Sequence, residues 1–199
     1  MKFDAEKSQI VESLQNAAAV AERRQTIPIL ANLRLKTLNG KLEVTATDLE
    51  IQIKTFSDLL DVEEEGETTV SARKMSELCR SLPDGEKVNF SLTSGKLTVR
   101  ANNFHADFAT ISPDDFPEIE INEELNPLKI NSSVLKRVLT KTAFSMASQD
   151  VRYYLNGMLL EVNGSKINGV ATDGHRLAFS SSSLVDSNLE VRNILPRKA

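Results

Sequence analysis

The stretch ATDGHRLA at positions 171–178 repeats the first three residues of ATDLEI at positions 46–51, at an offset of 125 residues (171 − 46). The same offset relates apolar and turn positions along the chain. These pairs are Leu14 and Leu139, Leu30 and Leu155, Leu33 and Met158, and, with one residue of slippage, Asn39-Gly40 and Asn163-Gly164. Because positions of several kinds agree in nearly one register, the sequence predicts two copies of one structural unit.

A segment rich in proline and acidic residues separates the two copies. Residues 112–127 contain three prolines and six acidic residues, a composition typical of a linker. We therefore expect a first unit over residues 1–122 and a second over residues 128–199. The first unit continues well past the point that matches position 199, so we expect the second unit to be cut short before its second helix.

Hydrophobic spacing predicts the elements of one unit. An apolar stripe over residues 7–23 predicts an amphipathic helix with Asp4 as its cap. A second helix is expected after Ser71, followed by three short strands. Alternation predicts further strands near residues 29–35, 42–46, 49–55 and 62–70, the third of them ending or bulging near Thr55. Strands in consecutive hairpins with few crossover helices imply antiparallel sheets, so the expected class is α+β.

The composition argues against several classes of protein. No run of apolar residues is long enough to span a membrane, and the charged N-terminus does not look like a secretory signal. With Cys79 as the single cysteine, the expected compartment is a reducing cytoplasm. A catalytic thiol is one interpretation of Cys79, but its place on the apolar stripe of a predicted helix favours a core role. With two histidines and one cysteine, we expect no metal site, and no cofactor is expected either.

The net charge of −4 conceals two basic helix faces. They carry Arg73, Lys74 and Arg80 in the first unit, and Lys136, Arg137 and Lys141 in the second. An ordinary solvated surface is one interpretation, and a surface that attracts DNA phosphates without reading bases is the other. Likewise, Tyr153 and Tyr154 beside Arg152 either stack on nucleic acid or cover the edge of the core.

A hydrolase that uses Asp173 and His175 is a competing interpretation. Two such residues two positions apart do not define a catalytic triad, and no nucleophile motif accompanies them. The aspartate also recurs at Asp48 without a histidine, which favours a repeated turn residue. We therefore expect no enzymatic activity.

Five segments of the chain resemble the bacterial β sliding clamp family, the processivity subunit of the replicative DNA polymerase. They are TIPILAN at 26–32, ATDLEI at 46–51, DFP at 115–117, VRYYLNG at 151–157 and ATDGHRLA at 171–178. The resemblance implies the DNA-clamp fold, in which each repeated unit packs two inner helices on outer antiparallel sheets. It also implies a parent chain of three such units, two copies of which close into a homodimeric ring around double-stranded DNA during DNA replication.

The resemblance also implies the site residues and the partners. DNA contacts fall on Arg24, Arg73, Gln149, Tyr153 and Tyr154. The resemblance also implies a groove that captures peptides from DNA polymerase, clamp-loader subunits and other proteins with a clamp-binding motif. Its residues are Leu155, Thr172, Gly174, His175, Arg176 and Leu177. A place in the core of the second unit is the alternative interpretation of both leucines. The dimer contact falls on Phe104 and Phe108, at least one of which we expect in the core. A peptide-binding module with no DNA role is the competing interpretation of the whole pattern.

Overall fold

The computed structural model describes residues 1–21, 27–119, 128–184 and 190–199. The chain divides into two compact units, Met1–Glu120 and Ile121–Ala199. Both are α+β units with antiparallel strands, as the alternating pattern predicted. In the part of the chain that the structure describes, no helix is long and apolar enough to cross a membrane.

Unit one consists of two helices on one antiparallel sheet. Its elements are β1 (Lys2–Glu6), α1 (Lys7–Ala18), β2 (Asn32–Leu38), β3 (Lys41–Thr47), β4 (Gln52–Asp58), β5 (Asp61–Glu64), β6 (Gly66–Ser71), α2 (Ala72–Ser81), β7 (Lys87–Thr93), β8 (Lys96–Ala101) and β9 (Phe104–Ile111). The nine strands follow the order β4-β3-β2-β6-β9-β8-β7-β1-β5. The core holds apolar residues of both helices and of the strands, with Phe3 stacked on Phe90 at 4.6 Å between ring centroids.

The first helix differs from the prediction at both ends. Glu6, not Asp4, is the N-cap of α1, because the Glu6 backbone N–H donates to Gln9 Oε1 at 2.7 Å in a reciprocal capping box. Asp4 lies in β1, where it accepts hydrogen bonds from Lys87 and Asn89. The helix ends at Ala18 rather than at position 23.

The second helix begins where the sequence predicted. Ser71 is its N-cap, with its side chain accepting a hydrogen bond from the Lys74 backbone N–H. Met75, Leu78 and Cys79 form the buried face. Burial raises the pKa of the Cys79 thiol to about 11, so this cysteine is a core residue and not a reactive thiol.

Two strand predictions were wrong. Ile29 lies in a 3₁₀ turn, Pro28–Ala31, and β2 starts only at Asn32. Strand β4 continues past Thr55 to Asp58, and after Ile53 the positions on its helix-facing side are the polar Thr55 and Ser57, which bond to α1. Thr55 Oγ1 donates to the Ser13 carbonyl at 3.1 Å, and Ser57 Oγ donates to Ser13 Oγ at 2.6 Å. These polar side chains interrupt the alternation of apolar and polar residues, so the sequence pattern did not show where this strand ends.

Unit two repeats the first half of unit one. Its elements are α3 (Ser132–Thr142), β10 (Gly157–Asn163), β11 (Lys166–Thr172), β12 (Leu177–Ser183) and β13 (Glu190–Pro196), with a 3₁₀ turn at Tyr153–Asn156. The strand order β12-β11-β10-β13 reproduces β4-β3-β2-β6 of unit one. The registers agree residue by residue, since Arg34 pairs with Thr45 and Thr69, and Leu159 pairs with Val170 and Ile194. The internal repeat predicted from the sequence is thus confirmed.

Candidate nucleic-acid and peptide interface

The repeated ATD tripeptide forms the same turn in both units. In unit one, Asp48 Oδ1 accepts hydrogen bonds from the backbone N–H groups of Glu50 and Ile51 at 3.0 and 2.8 Å. In unit two, Asp173 Oδ1 accepts hydrogen bonds from His175 and Arg176 at 2.9 and 3.0 Å. The preceding threonine hydroxyl accepts a third backbone hydrogen bond at 3.1 Å in each turn. The aspartate is therefore a turn-forming residue in both copies.

These contacts occupy the carboxylate that a hydrolase would need. Backbone N–H groups of His175 and Arg176 hold the pKa of Asp173 below its ordinary value, and the Arg176 guanidinium adds to the effect. Asp173 Oδ2 also accepts from Arg176 Nε at 3.0 Å. The structure therefore assigns Asp173 to backbone capping rather than to the orientation of a histidine base.

Arg176 connects this turn to a residue that the sequence analysis missed. Its Nη2 donates to the Phe144 carbonyl at 2.7 Å, and the guanidinium lies 5.8 Å from the centre of the exposed Phe144 ring. Thr172 Oγ1 donates to the Arg176 carbonyl at 2.7 Å, which closes the turn. Since Phe144 lies 32 residues before Arg176, no local sequence signal could have indicated this contact.

Arg152 lies beside Gly174 of this turn. Its guanidinium makes two hydrogen bonds to the Asp150 carboxylate, at 3.0 and 2.9 Å, and this pairing lowers the pKa of Asp150 to about 2. Gly174 has φ +90°, and a Cβ at that position would lie 3.3 Å from Arg152 Nη2. Glycine is therefore favoured at 174 both by the backbone conformation and by the arginine beside it.

A mostly apolar groove of about 520 Å³ lies on the sheet of unit two. Two of the expected peptide-groove residues, Leu155 and Thr172, line it, and Tyr154, which we had assigned to DNA, joins them. Gly174, His175, Arg176 and Leu177 are exposed in the adjoining turn and strand start rather than in its wall. Sequence reasoning missed its remaining lining residues, Gly157, Leu159, Val170, Arg192 and Ile194.

The basic faces expected from the sequence are exposed. In unit one, Arg73, Lys74 and Arg80 all reach solvent from α2, although Arg73 also pairs with Glu77 at 2.9 Å. A groove of about 630 Å³ with mostly small side chains in its wall adjoins Arg73 and Arg80, which leaves both guanidinium groups accessible. In unit two, Lys136, Arg137 and Lys141 are exposed on α3.

Of the other four residues expected to contact DNA, the structure describes three, and all three are exposed. Gln149, Tyr153 and Tyr154 are exposed, and the two tyrosine rings meet edge to face at 5.9 Å. Arg24 lies outside the described residues. Arg197, which the repeat matches to Arg73, has a structural role instead, because its Nη1 donates to the Met146 carbonyl at 2.9 Å.

The expected dimer residues lie on β9. Phe108 belongs to the core of unit one, and Phe104 packs against that core. Strand β9 pairs with β8 from Phe104 to Ala109, whereas its pairing with β6 involves Thr110 and Ile111. The backbone of this strand, rather than the buried Phe108 ring, is therefore the part of β9 that a partner strand could reach.

Acidic, histidine and cysteine side chains do not cluster as metal ligands within the four described ranges, where no group of three or more could hold an ion.

The chain matches two family models in sequence order. The N-terminal domain of the DNA polymerase III beta subunit matches residues 1–120, and the central domain of the same subunit matches residues 129–199. Among curated relatives, the beta sliding clamp of Pseudomonas aeruginosa is 42% identical over 199 residues. That of Escherichia coli K12 is 39% identical over 198 residues.

Solved structures agree in fold. The DNA polymerase III subunit beta of Pseudomonas aeruginosa superimposes with a TM-score of 0.91 at 40% identity over 100% of this chain and 54% of its own length. A sliding clamp from Caulobacter crescentus gives 0.92 at 31% identity, over 100% of this chain and 55% of its own. Another Pseudomonas aeruginosa clamp structure, 42% identical, holds griselimycin.

The alignment with each of these two relatives covers 100% of this chain and 54% of the relative's own length. The chain therefore spans about half the length of the curated relatives it matches. The fold expected from the resemblance, the DNA-clamp fold, is confirmed by these superpositions. The order of the two matched domains, their coverage and the identity over the whole sequence agree, and the chain belongs to the DNA polymerase III beta subunit family.

Proposed function

We propose that this chain forms part of a DNA sliding clamp, a processivity factor that encircles duplex DNA without reading its sequence. The observation that carries the proposal is the exposure of two cationic helix faces on a protein of net charge −4. A clamp that slides needs attraction to phosphate but no hydrogen bonds to bases, and exposed lysine and arginine supply that attraction.

The contacts in this proposal are those expected from the sequence. Arg24, Arg73, Gln149, Tyr153 and Tyr154 face DNA in the assembled ring. The ring is a homodimer of longer chains, of which residues 1–122 and 128–199 form the first domain and part of the second. It acts in the cytoplasm, tethers DNA polymerase, is loaded by clamp-loader subunits, and catalyses no reaction.

The partner site in this proposal is the turn and groove of unit two. Leu155 and Thr172 supply part of the apolar wall, and Gly174, His175, Arg176 and Leu177 supply its exposed rim. Support comes from the hydrogen bonds within the turn, because two backbone N–H groups and the Arg176 guanidinium donate to the Asp173 carboxylate. A preformed site of this kind loses little conformational entropy when an extended peptide binds.

Retention on circular DNA tests the encircling role. A chimera would carry this chain in place of the matching 199 residues of the Pseudomonas aeruginosa beta sliding clamp. We expect the chimera to stay on closed circular DNA through a salt wash and to leave when the circle is cut. Retention that survives linearisation would overturn encirclement and leave a peptide-binding module as the better interpretation.

Charge reversal on α2 tests the phosphate-facing surface in the same chimera. Arg73→Glu with Lys74→Glu should shorten retention and increase its sensitivity to salt, because two attractive charges become repulsive. Lys41→Glu, at an exposed hairpin position, is the matched control. Equal effects of the two changes would remove the support that the basic face gives.

The repeat supplies a control for the partner site as well. His175→Ala should weaken binding of a peptide that carries a clamp-binding motif, while Glu50→Ala, at the same position of the turn in unit one, should not. Equal losses from both substitutions would contradict the assignment of the site to unit two.

A further inference from the structure

The loop at residues 149–156, which leads into β10, carries three of the residues expected to contact DNA. We refer to it as the tyrosine loop, because it contains Tyr153 and Tyr154. Gln149, at its start, has φ +61°. This region is unfavourable for a residue with a Cβ, so such a residue stays there only where the surrounding structure fixes the backbone.

The side chain of Asn156 closes the tyrosine loop with two hydrogen bonds to one residue. Its Oδ1 accepts from the Asp150 backbone N–H at 2.9 Å, and its Nδ2 donates to the Asp150 carbonyl at 2.9 Å. The side-chain amide thereby pairs with the backbone of Asp150 as a neighbouring strand would. Because the Asp150 N–H belongs to the planar peptide group that follows Gln149, this pairing fixes the backbone next to the residue of positive φ.

Further hydrogen bonds hold the rest of the loop. The Asp150 carboxylate accepts from the Arg152 backbone N–H at 2.8 Å, in addition to the two bonds from the guanidinium. The Leu155 N–H donates to the Arg152 carbonyl, and the Ala147 N–H donates to the Leu155 carbonyl, both at 2.9 Å. All these bonds lie within residues 147–156, so the shape of the loop is set locally.

Unit one lacks these side-chain bonds at the matching positions. The offset of 125 residues matches Asn156 to Ala31 and Arg152 to Ile27, and neither side chain of unit one can form the hydrogen bonds described above. The two tyrosines are matched by Pro28-Ile29. The repeated unit therefore folds without the Asn156 amide, which accompanies the aromatic pair instead.

We infer that Asn156 is a positioning residue for DNA binding, because it holds the tyrosine loop in the shape that presents Gln149 and the two tyrosines to the duplex. Asn156 acts through the backbone of Asp150 rather than by contact with DNA. It orders the loop before DNA arrives, so binding does not have to supply that ordering. The inference rests on the proposed function in taking duplex DNA as the ligand of this loop.

Retention of the chimera on closed circular DNA tests this role. Asn156→Ala removes both hydrogen bonds, and faster hydrogen exchange of the Asp150 amide in the 199-residue chain would show that the pairing is lost. We expect the half-life of retention to fall about tenfold, because the loop must then be ordered when DNA binds. Asn156→Ser, which loses the paired bonds with a smaller change of volume, should act in the same direction and replaces the alanine variant if that does not fold.

Two controls separate positioning from stability. Ile167→Val lowers stability through the core of unit two and should leave retention unchanged. The second control is a chimera with alanine in place of Gln149, Tyr153 and Tyr154. There Asn156→Ala should have no further effect, because its effect passes through those three side chains.

Three results would overturn the inference in a chimera that stays on the circle. They are equal retention of Asn156→Ala and the unmodified protein, an equal loss from Ile167→Val, and an equal loss from Asn156→Ala with and without the three contact residues. A chimera that leaves closed circular DNA as fast as linear DNA is a different failure, which would overturn the encircling role together with this inference.

Discussion

At the scale of single residues, Leu49 and Gly174 occupy the same position of the repeated turn, but only glycine is well suited to the backbone conformation there. Both have positive φ, +76° and +90°, a region that costs a residue with a Cβ about 1–2 kcal/mol. Leu49 adopts that conformation at the surface of unit one, where its side chain is 53% exposed, whereas a Cβ on Gly174 would meet Arg152.

Exchanging these residues should therefore have unequal effects. Gly174→Leu should lower the free energy of unfolding of unit two by about 1–2 kcal/mol. Leu49→Gly should change that of unit one by less than about 0.5 kcal/mol, because relief of strain offsets the added freedom of the unfolded chain. Hydrogen exchange of β3 and β11 amides measures each unit. A larger loss from Leu49→Gly than from Gly174→Leu would contradict the assignment of strain.

Asp150 offers a test of electrostatics at the same scale. Arg152 lowers the pKa of Asp150 from 3.8 to about 2. The ion pair between the two side chains therefore contributes fully to stability at any pH above about 4. Since the folded pKa lies below the unfolded one, this stabilisation is lost as pH falls from about 4 towards 2. In a carboxyl NMR titration, Arg152→Ala should raise the Asp150 midpoint towards 3.8. An unchanged midpoint would mean that another group sets it.

At the scale of elements, the two units differ by an exchange of a small and a large residue between matching positions of helix and strand. In unit one, the small Ser13 of α1 occupies the position that Val138 occupies in α3, and Val44 of β3 occupies that of Gly169 in β11. A Cβ on Gly169 would lie 2.5 Å from Val138 Cγ1. The helix position is small and the strand position large in unit one, and the reverse holds in unit two, so the combined size of the two residues changes little.

This size exchange predicts a coupled pair of substitutions. Gly169→Val alone should destabilise unit two by about 2–3 kcal/mol through overpacking, and Val138→Ser alone by about 2 kcal/mol through lost burial. Together they restore the arrangement of unit one, so the double variant should lose at least about 1 kcal/mol less than the sum. Simple additivity in hydrogen exchange of β10 and β11 would show that the two residues do not share one contact.

At the scale of the whole molecule, the two units differ in the size of their cores. Residues of both helices and of most strands build the core of unit one. Among the described residues of unit two, the buried cluster consists of Val138, Met146, Met158, Val162, Ile167 and Ala171. Burial of apolar surface is the main stabilising contribution to a fold, so stability should be divided unequally between the units.

The expected result is weaker hydrogen-exchange protection in unit two than in unit one. Amides of β10 and β11 should exchange faster than those of β2 and β3, although the strands pair in the same register. A bound partner peptide should slow exchange in unit two alone. Comparable protection of both sheets in the isolated chain would contradict this prediction.

Much of this fold could be predicted from the sequence because its signals are local. The Asn39-Gly40 turn, whose two residues have φ of +51° and +72°, and the stripe of α2 each lie within a few neighbouring residues. The offset of 125 residues is visible because short local motifs recur in one register. The end of the polar strand β4 was missed because its Ser57 bonds to Ser13 on α1, which lies far away in the sequence. The cap of α1 was missed although its signal, the capping box of Glu6 and Gln9, is local.

What the sequence by itself determined is therefore the repeated unit, its helices and turns, and the residue types on each face. Only the tertiary structure decided which faces meet. Arg176 donates a hydrogen bond to the Phe144 carbonyl, and Glu118 pairs with Arg34, each across a long stretch of chain. The physical reason is that spacing along the chain sets backbone conformation, whereas contacts between strands depend on register and burial, which arise only when the sheet has formed.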